Sequence, residues 1–402
     1  MPGHWLARLR VRLNRLIVPF LHFPRPFTFI GPDAARSLCR ELIALGFRRV
    51  LVVTDQALAG LGVPQGAIRH LEAAGATVEV FSQVEPDPGC DTVLAGVRLL
   101  ELFRADAILA IGGGSVLDAA KAMKLCQANH CHPEQLAGLW LFARPRKAGL
   151  PFFAIPTTAG TGSEATIAAV ISNPREQRKY FIAEPKAVPA MAALDPRLMT
   201  GLPPRITAPT GMDVLTHAVE SFISTLARPE TDDLARMAAQ GVMTCLLTAY
   251  HDGSDLEARE RMAVASCMAG MAFTQTGVGY VHAFAHQIGG LYHVPHGLAN
   301  AILLPHVLDF SKPRCTGRLA ELARVSGLGG LGILDPELAD AFIARIRAMN
   351  AEMELPSTFA ALKRADFPKL IGQAFAEAHG TYGVPRYLSR AQAWNLLERV
   401  CP

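Results

Sequence analysis

The chain has 402 residues, half of them hydrophobic and 18% charged. That is the composition of a globular protein, too long for one ordinary core. The formal net charge is +4, but Arg8, Arg10, Arg12, Arg15 and Arg25 all precede the first acid, Asp33, so the rest of the chain is close to neutral and a basic surface for nucleic acid is not indicated.

The first thirty residues form a basic arm. "WLARLRVRLNRLIVPFLHF" interleaves arginine with Leu, Val and Ile and stops at Pro19. It lacks the long apolar core or Ser-rich stretch of a targeting peptide. Two readings fit: an arm packed on its own domain or a neighbouring subunit, or a helix making peripheral contact with a membrane surface or a partner. The first is the expectation. No apolar run reaches the roughly 18 residues that cross a bilayer.

Strands and helices then alternate. "RRVLVVTD" (Arg48–Asp55) is a short β-branched strand, and helical periodicity follows around Gly66–Ala74. "ATVEVFS" (Ala76–Ser82) alternates as a strand, and "CDTVLAGVRLLELF" (Cys90–Phe103) reads as a helix. "DAILAIGGG" (Asp106–Gly114) is a strand running into glycine, and "LPFFAIPTT" (Leu150–Thr158) is another strand. Such alternation predicts a mostly parallel sheet with right-handed crossovers. "DPRLMTGLPPRITAPTGMD" (Asp195–Asp213) is rich in proline and glycine and reads as a linker. Beyond it Asp213–Leu226, Pro229–Tyr250, Leu256–Thr276, Val281–Ile288 and the remainder are helical in period. The expected organisation is an arm (1–30), an α/β domain (31–203) and an all-helical domain (204–402).

Two loops suit phosphate and sugar oxygens. In "AIGGGSVLDAAK" Gly112, Gly113 and Gly114 join a buried strand to a helix, where free N–H groups can face a pyrophosphate. Ser115 and Asp118 match a capping-box spacing for a helix starting near Val116. The motif is neither G-x-G-x-x-G nor a P-loop. "PTTAGTGSE" (Pro156–Glu164) offers the hydroxyls of Thr157, Thr158, Thr161 and Ser163. Asp55, at a strand end, can accept from a ribose diol and repel a 2′-phosphate, or serve only as a helix cap or turn residue.

In "GMDVLTHAVES" Asp213 and His217 lie four apart on one helical face. "GYVHAFAHQIGGLYHVPHG" repeats that spacing in His282 and His286. Gly289-Gly290 is expected to break this helix, with His293 and His296 following. Three histidines and a carboxylate suit Zn²⁺ or Fe²⁺ better than Mg²⁺ or Ca²⁺. By spacing alone either His282 or His286 can be the third ligand.

GGGSVLDAAK, PTTAGTGSE, GMDVLTHAVES and GYVHAFAHQIGGLYHVPHG, in this order, resemble the iron-containing (group III) alcohol dehydrogenases from about Phe27 to the C-terminus. The resemblance implies an N-terminal Rossmann-like domain, a C-terminal helical domain and an active site in the cleft between them. It implies NAD and Fe²⁺ (or Zn²⁺) as cofactors, a small alcohol or aldehyde as substrate, and a homodimer or larger homo-oligomer. Asp213, His217, His282 and His296 look like the metal ligands, and His286 like the non-ligand histidine that relays a proton. His293 falls where no particular function is needed. Asp55 resembles the position selecting NAD over NADP. Gly113, Gly114, Ser115 and Asp118 match the pyrophosphate loop; Thr157, Thr158 and Thr161 match the second cofactor loop. Lys179 in "QRKYF" aligns with a cofactor-contacting lysine. Asp87 stands where relatives often carry Asn. A polyol dehydrogenase, a dehydroquinate-synthase-like lyase and a non-catalytic scaffold are the competing readings. The scattered cysteines, with no C-x-x-C pair among the eight, read as the reduced thiols of a cytoplasmic protein.

Overall fold

In chain order the structure, a computed structural model, describes residues 5–21, 23–139, 146–173, 178–330 and 332–402. The chain divides into two compact units, His22–Gly201 and Met1–Leu21 with Leu202–Pro402. The arm's helix α1 (Trp5–Ile17) therefore belongs with the helical half; residues 1–4 and 22 of the expected arm lie outside the described residues.

The α/β unit contains β1 (Phe27–Ile30), α2 (Ala34–Ala44), β2 (Arg49–Asp55), α3 (Gln56–Gly60), α4 (Gln65–Ala73), β3 (Thr77–Val84), α5 (Cys90–Phe103), β4 (Ala107–Gly112), α6 (Gly114–Asn129), β5 (Gly138–Leu139), β6 (Phe152–Pro156), β7 (Ala168–Asn173), β8 (Arg178–Ala183) and β9 (Met191–Leu194). Six strands form a parallel sheet in the order β1-β9-β6-β4-β2-β3. Strand alternation builds its two cores. Val50, Val52, Leu109 and Ile111 face Leu38 and Leu42 of α2 and Leu71 of α4. Leu51, Val53, Ile108 and Ala110 face Val93 and Leu100 of α5 and Met123 of α6. With both faces covered, β2 and β4 need continuous apolar runs rather than an alternating pattern.

β2 leads outward to β3, whereas β4 leads the other way to β6. The neighbours β2 and β4 thus flank the topological switch point, where ligands bind outside the carboxyl ends of the strands. Asp55 ends β2, and Gly112–Gly114 follows from β4. A second small sheet, β5-β8-β7, packs on the far side of α6, which explains why α6 is buried around nearly its whole circumference. The periodicity does not announce its antiparallel pair β7–β8.

The helical unit contains α7 (Pro204–Ile223), α8 (Pro229–His251), α9 (Leu256–Thr276), α10 (Tyr280–Tyr292), α11 (His296–Val325), α12 (Asp335–Glu352), α13 (Phe367–Ala378) and α14 (Arg390–Arg399). Two local expectations are corrected. The expected linker is largely helix: Pro203 is the N-cap of α7 and Pro204 opens its first turn, where a missing N–H costs nothing. Gly289-Gly290 does not break α10; the helix continues to Tyr292, and His293 caps it in the left-handed conformation (φ 56°). Glycine lowers helix propensity by only about 1 kcal/mol, which tertiary packing overrides.

Candidate active site

Helix α7 carries Asp213, His217 and Glu220 at i, i+4 and i+7 on one buried face. Glu220 accepts hydrogen bonds from Gly279 N, Val281 N and His282 Nδ1, each at 2.7 Å. One carboxylate thus satisfies two free N–H groups at the start of α10 and fixes the His282 ring. The approach requires glycine at 279, because a Cβ there would lie 2.5 Å from Glu220 Oε1. His296 is the first residue of α11, and Asn300 is one turn on.

One ligand atom each from Asp213, His217, His282 and His296 lies within 4.8 Å of the others. From Asp213 Oδ1 the distances are 3.4 Å to His296 Nε2, 3.6 Å to His282 Nε2 and 3.9 Å to His217 Nδ1. Ligands about 2.0–2.2 Å from a tetrahedral metal stand roughly 3.3–3.6 Å apart, so the set fits a cation with little movement. The His217 ring is stacked between Phe273 and His282.

Asn300 provides a second test of fit. Its Nδ2 lies 2.7 Å from Asp213 Oδ1, 3.1 Å from His296 Nε2 and 3.3 Å from His282 Nε2, while its Oδ1 has no hydrogen-bond partner. Three acceptor atoms converge on an amide with two hydrogens. A cation can bond all three atoms at once, displacing any proton held at His282 Nε2, which the amide cannot do. Electrostatics agree. Desolvation opposes ionisation of Asp213, but the imidazoles of His217, His296 and His282 hold its carboxyl far below the usual range. Desolvation, aided by neighbouring imidazoles, pushes His296 down to about 3, leaving one ring-nitrogen lone pair available. His282 is pushed up to about 9, because bonds to Asp213 and Glu220 outweigh its burial.

His286, one turn after His282, is exposed and stacked on His296 at 5.3 Å. Its Nδ1 lies 2.7 Å from Glu377 Oε1. Glu377 also accepts from Tyr382 Oη and Gln287 Nε2, each at 2.7 Å. Although desolvation opposes it, His286 holds the Glu377 carboxyl below its ordinary value. An ionised Glu377 accepts a hydrogen bond from His286 Nδ1–H, which leaves Nε2 as the nitrogen that can exchange a proton.

In the α/β unit the two glycine- and threonine-bearing loops meet. A Cβ on Gly113 would sit 3.3 Å from Thr158 Oγ1, and one on Gly114 would sit 2.6 Å from Thr161 Cγ2. Thr157 N bonds Gly112 O at 3.1 Å, and Thr161 Oγ1 accepts from Ser163 N. The expected capping box is absent. Gly113 is the N-cap of α6, and the Ser115–Asp118 pair is not used, because Asp118 instead accepts from Ser163 Oγ at 2.6 Å and Val170 N at 2.9 Å. Asp118 therefore ties α6 to the second loop. Ser115 lies in the first turn of α6, partly exposed. Asp55 Oδ1 caps α3 through Leu58 N at 2.8 Å, leaving Oδ2 for a ligand. Lys179 Nζ and Asp87 Oδ1 pair at 2.7 Å on the surface.

Known proteins resemble this chain in sequence and in fold. The profile described as iron-containing alcohol dehydrogenase matches residues 26–196, and that for the C-terminal part of the Fe-containing alcohol dehydrogenase family matches residues 207–401. Alcohol dehydrogenase 4 of Saccharomyces cerevisiae (strain YJM789) is 38% identical over 357 residues, covering 88% of this chain and 91% of the yeast protein. The chain belongs to the iron-containing alcohol dehydrogenase family. The NAD-dependent methanol dehydrogenase of Bacillus methanolicus is 36% identical, over 88% of this chain and 93% of that protein. A crystal structure of 1,3-propanediol oxidoreductase superposes with a TM-score of 0.89 at 34% identity, over 94% of this chain and all of that one. As a family member the protein is an oxidoreductase, and its Asp-His-His-His donor set is one that could hold a metal ion.

Sequence reading missed several residues of this iron-containing alcohol dehydrogenase. Glu220 was legible, lying three residues after His217 on the same face. Asn300 was legible as the i+4 neighbour of His296. Glu377 and Tyr382 carry no local signal. Nor does Lys121, which is wholly buried and donates to Ser163 Oγ, Thr166 O, Thr166 Oγ1 and Ala168 O at 2.8–3.0 Å.

Proposed function

We propose that the protein oxidises small primary or secondary alcohols, or reduces the matching aldehydes or ketones, using NAD and Fe²⁺. The convergence of Asp213, His217, His282 and His296 on one point, with Glu220 behind His282, carries the reading. These four side chains hold the metal. Gly113, Gly114 and Ser115 receive the cofactor's pyrophosphate on the α6 N-terminus, with Thr157, Thr158 and Thr161 as hydroxyl donors and Asp118 positioning their loop. Asp55 takes the ribose diol, and the Asp87–Lys179 pair borders the same cofactor. When bound, the metal supplies Lewis acidity toward the substrate oxygen and the nicotinamide supplies hydride chemistry.

The chain's own residues do the rest. Glu220 holds the His282 proton on Nδ1, so only the proton that Asp213 otherwise draws to Nε2 has to leave for a metal to bind there. His286 accepts the alcohol proton at Nε2 during oxidation and returns it during reduction, while Glu377 steadies the imidazolium that forms. Three imidazoles with one carboxylate admit Fe²⁺ and Zn²⁺ alike, and family membership favours Fe²⁺. The eight cysteines, none of them in a disulfide, support a reducing, cytoplasmic setting. The edge strand β1, with Phe27 and Ile30 exposed, supports a homo-oligomer.

The test is a steady-state assay of NADH formation over a series of primary and secondary alcohols, on protein whose metal content is measured without added metal. Turnover that rises with bound iron supports the reading. Metal-loaded protein that binds NAD but turns over no alcohol, aldehyde or ketone refutes it.

A further inference from the structure

The N-terminal helix α1 wears its apolar face outward. Only Val11 is buried. Ala7 and Asn14, on the same side, are half-buried. This narrow inner face rests on the segment after α13: Arg8 lies over the Tyr387 ring at 5.5 Å, and a Cβ on Gly380 would come within 3.2 Å of Arg10 Cδ and 3.6 Å of Ala7 Cα. Gly380 has φ 85°, a backbone conformation that favours glycine, and α1 packs directly over it.

The outer face is the larger one. Trp5, Leu6, Leu9, Leu13, Leu16 and Ile17 are all exposed, Trp5 by 61% and Leu16 by 67%, and Phe20 just beyond is 89% exposed. At about 100° per residue these six helical positions fill one arc of roughly 120°. Arg10 borders the arc on one side and Arg12 on the other, with Arg8 and Arg15 behind Arg12. Surface helices normally bury the wide apolar stripe and expose the rest; α1 does the reverse while still anchored to its own unit.

We infer that α1 is an in-plane anchor for an anionic lipid surface. An apolar arc flanked by arginines is what lies in the headgroup boundary of a bilayer. Charge complementarity selects this occupant: the first 32 residues carry five arginines and no acid. A second copy of the arm would set arginine rows of like charge face to face with no carboxylate on the arm to offset them. At 13 residues α1 is too short to span a bilayer, and no described helix is long and apolar enough to do so.

The experiment is flotation of the full-length protein with vesicles of phosphatidylcholine containing phosphatidylglycerol, and with phosphatidylcholine alone. The protein is expected to float with the anionic vesicles, to be released by salt, and to bind the neutral ones far more weakly. Arg12→Gln with Arg15→Gln should weaken anionic binding by roughly 25-fold, at about fivefold for each arginine near the surface. Leu9→Asp with Leu13→Asp should abolish it, with turnover on a soluble alcohol unchanged. Two results overturn the inference: the protein ignores anionic vesicles, or the double Asp variant binds them as well as the parent. In the first case, loss of self-association by that variant in sedimentation would make the face an interface between copies.

Discussion

Replacing Glu220 by Gln tests whether one carboxylate both starts a helix and tunes a metal ligand. Glu220 Oε2 receives Gly279 N and His282 Nδ1, and Oε1 receives Val281 N. Glutamine is isosteric but keeps one acceptor oxygen. If that oxygen stays with the first two donors, the amide NH₂ faces Val281 N–H, and a buried donor loses its partner. The unmatched group costs about 1–3 kcal/mol, and the two surviving bonds lose their charge assistance, for a total of about 3 kcal/mol. For a unit of this size roughly 2–4 °C is lost per kcal/mol, so the metal-free protein should melt about 6–12 °C lower. His282 also loses the anion that holds its tautomer, and metal affinity should drop about 10–100-fold. Calorimetry of the metal-free protein and metal competition against a chelator measure the two effects separately. A lower melting point with unchanged metal affinity would reduce Glu220 to a helix cap; no change in either would refute the whole argument.

Other consequences are equally direct. A Cβ at Gly297 would lie 2.2 Å from Pro209 O, so Gly297→Ala should push α11 from α7, cost about 1–3 kcal/mol and weaken metal binding. Gly290→Ala meets nothing within 4 Å and should be neutral or slightly stabilising; equal melting points for the two variants would contradict the packing account. His286→Ala should retain metal but slow turnover by about 10²–10⁴-fold, and loss of metal in this variant would reverse the roles of His282 and His286. Asp55→Gly keeps most of the α3 cap while removing a charge, so NAD preference over NADP should fall by about tenfold; unchanged selectivity refutes the ribose role. Burial pushes the Glu164 carboxyl up to about 7 from its ordinary 4.5. Between these values the folded protein holds a proton that the unfolded chain has lost, so stability should fall as pH rises through that window. Glu164→Gln should flatten this part of the melting profile, and a profile identical to the parent's would count against it.

Much of the α/β unit was legible because its central strands must be apolar on both faces. "VLVV" and "AILAI" admit no surface reading once flanked by helices. The β7–β8 pair was hidden: β7 alternates only between buried and partly buried positions, and β8 puts the apolar Phe181 at an exposed position, so neither strand shows a clean polar–apolar period. Proline and glycine misled twice for one reason. Local breaker signals in Pro204 and in Gly289-Gly290 were outweighed by the packing of α7 and α10.

The histidine pair on α10 shows where local pattern runs out. His282 and His286 share a helix face, and in both the Nδ1 lies 2.7 Å from a glutamate. The pair is symmetric in sequence and in that bond. The tie breaks only at Nε2. For His282 it points 3.6 Å from Asp213 Oδ1 into a buried cluster, whereas His286 is exposed. Glu220 arrives from α7 on the buried side, and Glu377 arrives from the end of α13, 91 residues beyond His286 in the chain. No spacing within α10 encodes which side each carboxylate approaches from. That asymmetry belongs to the packing of α7, α10 and α13, and it separates a histidine suited to hold a metal from one suited to carry a proton.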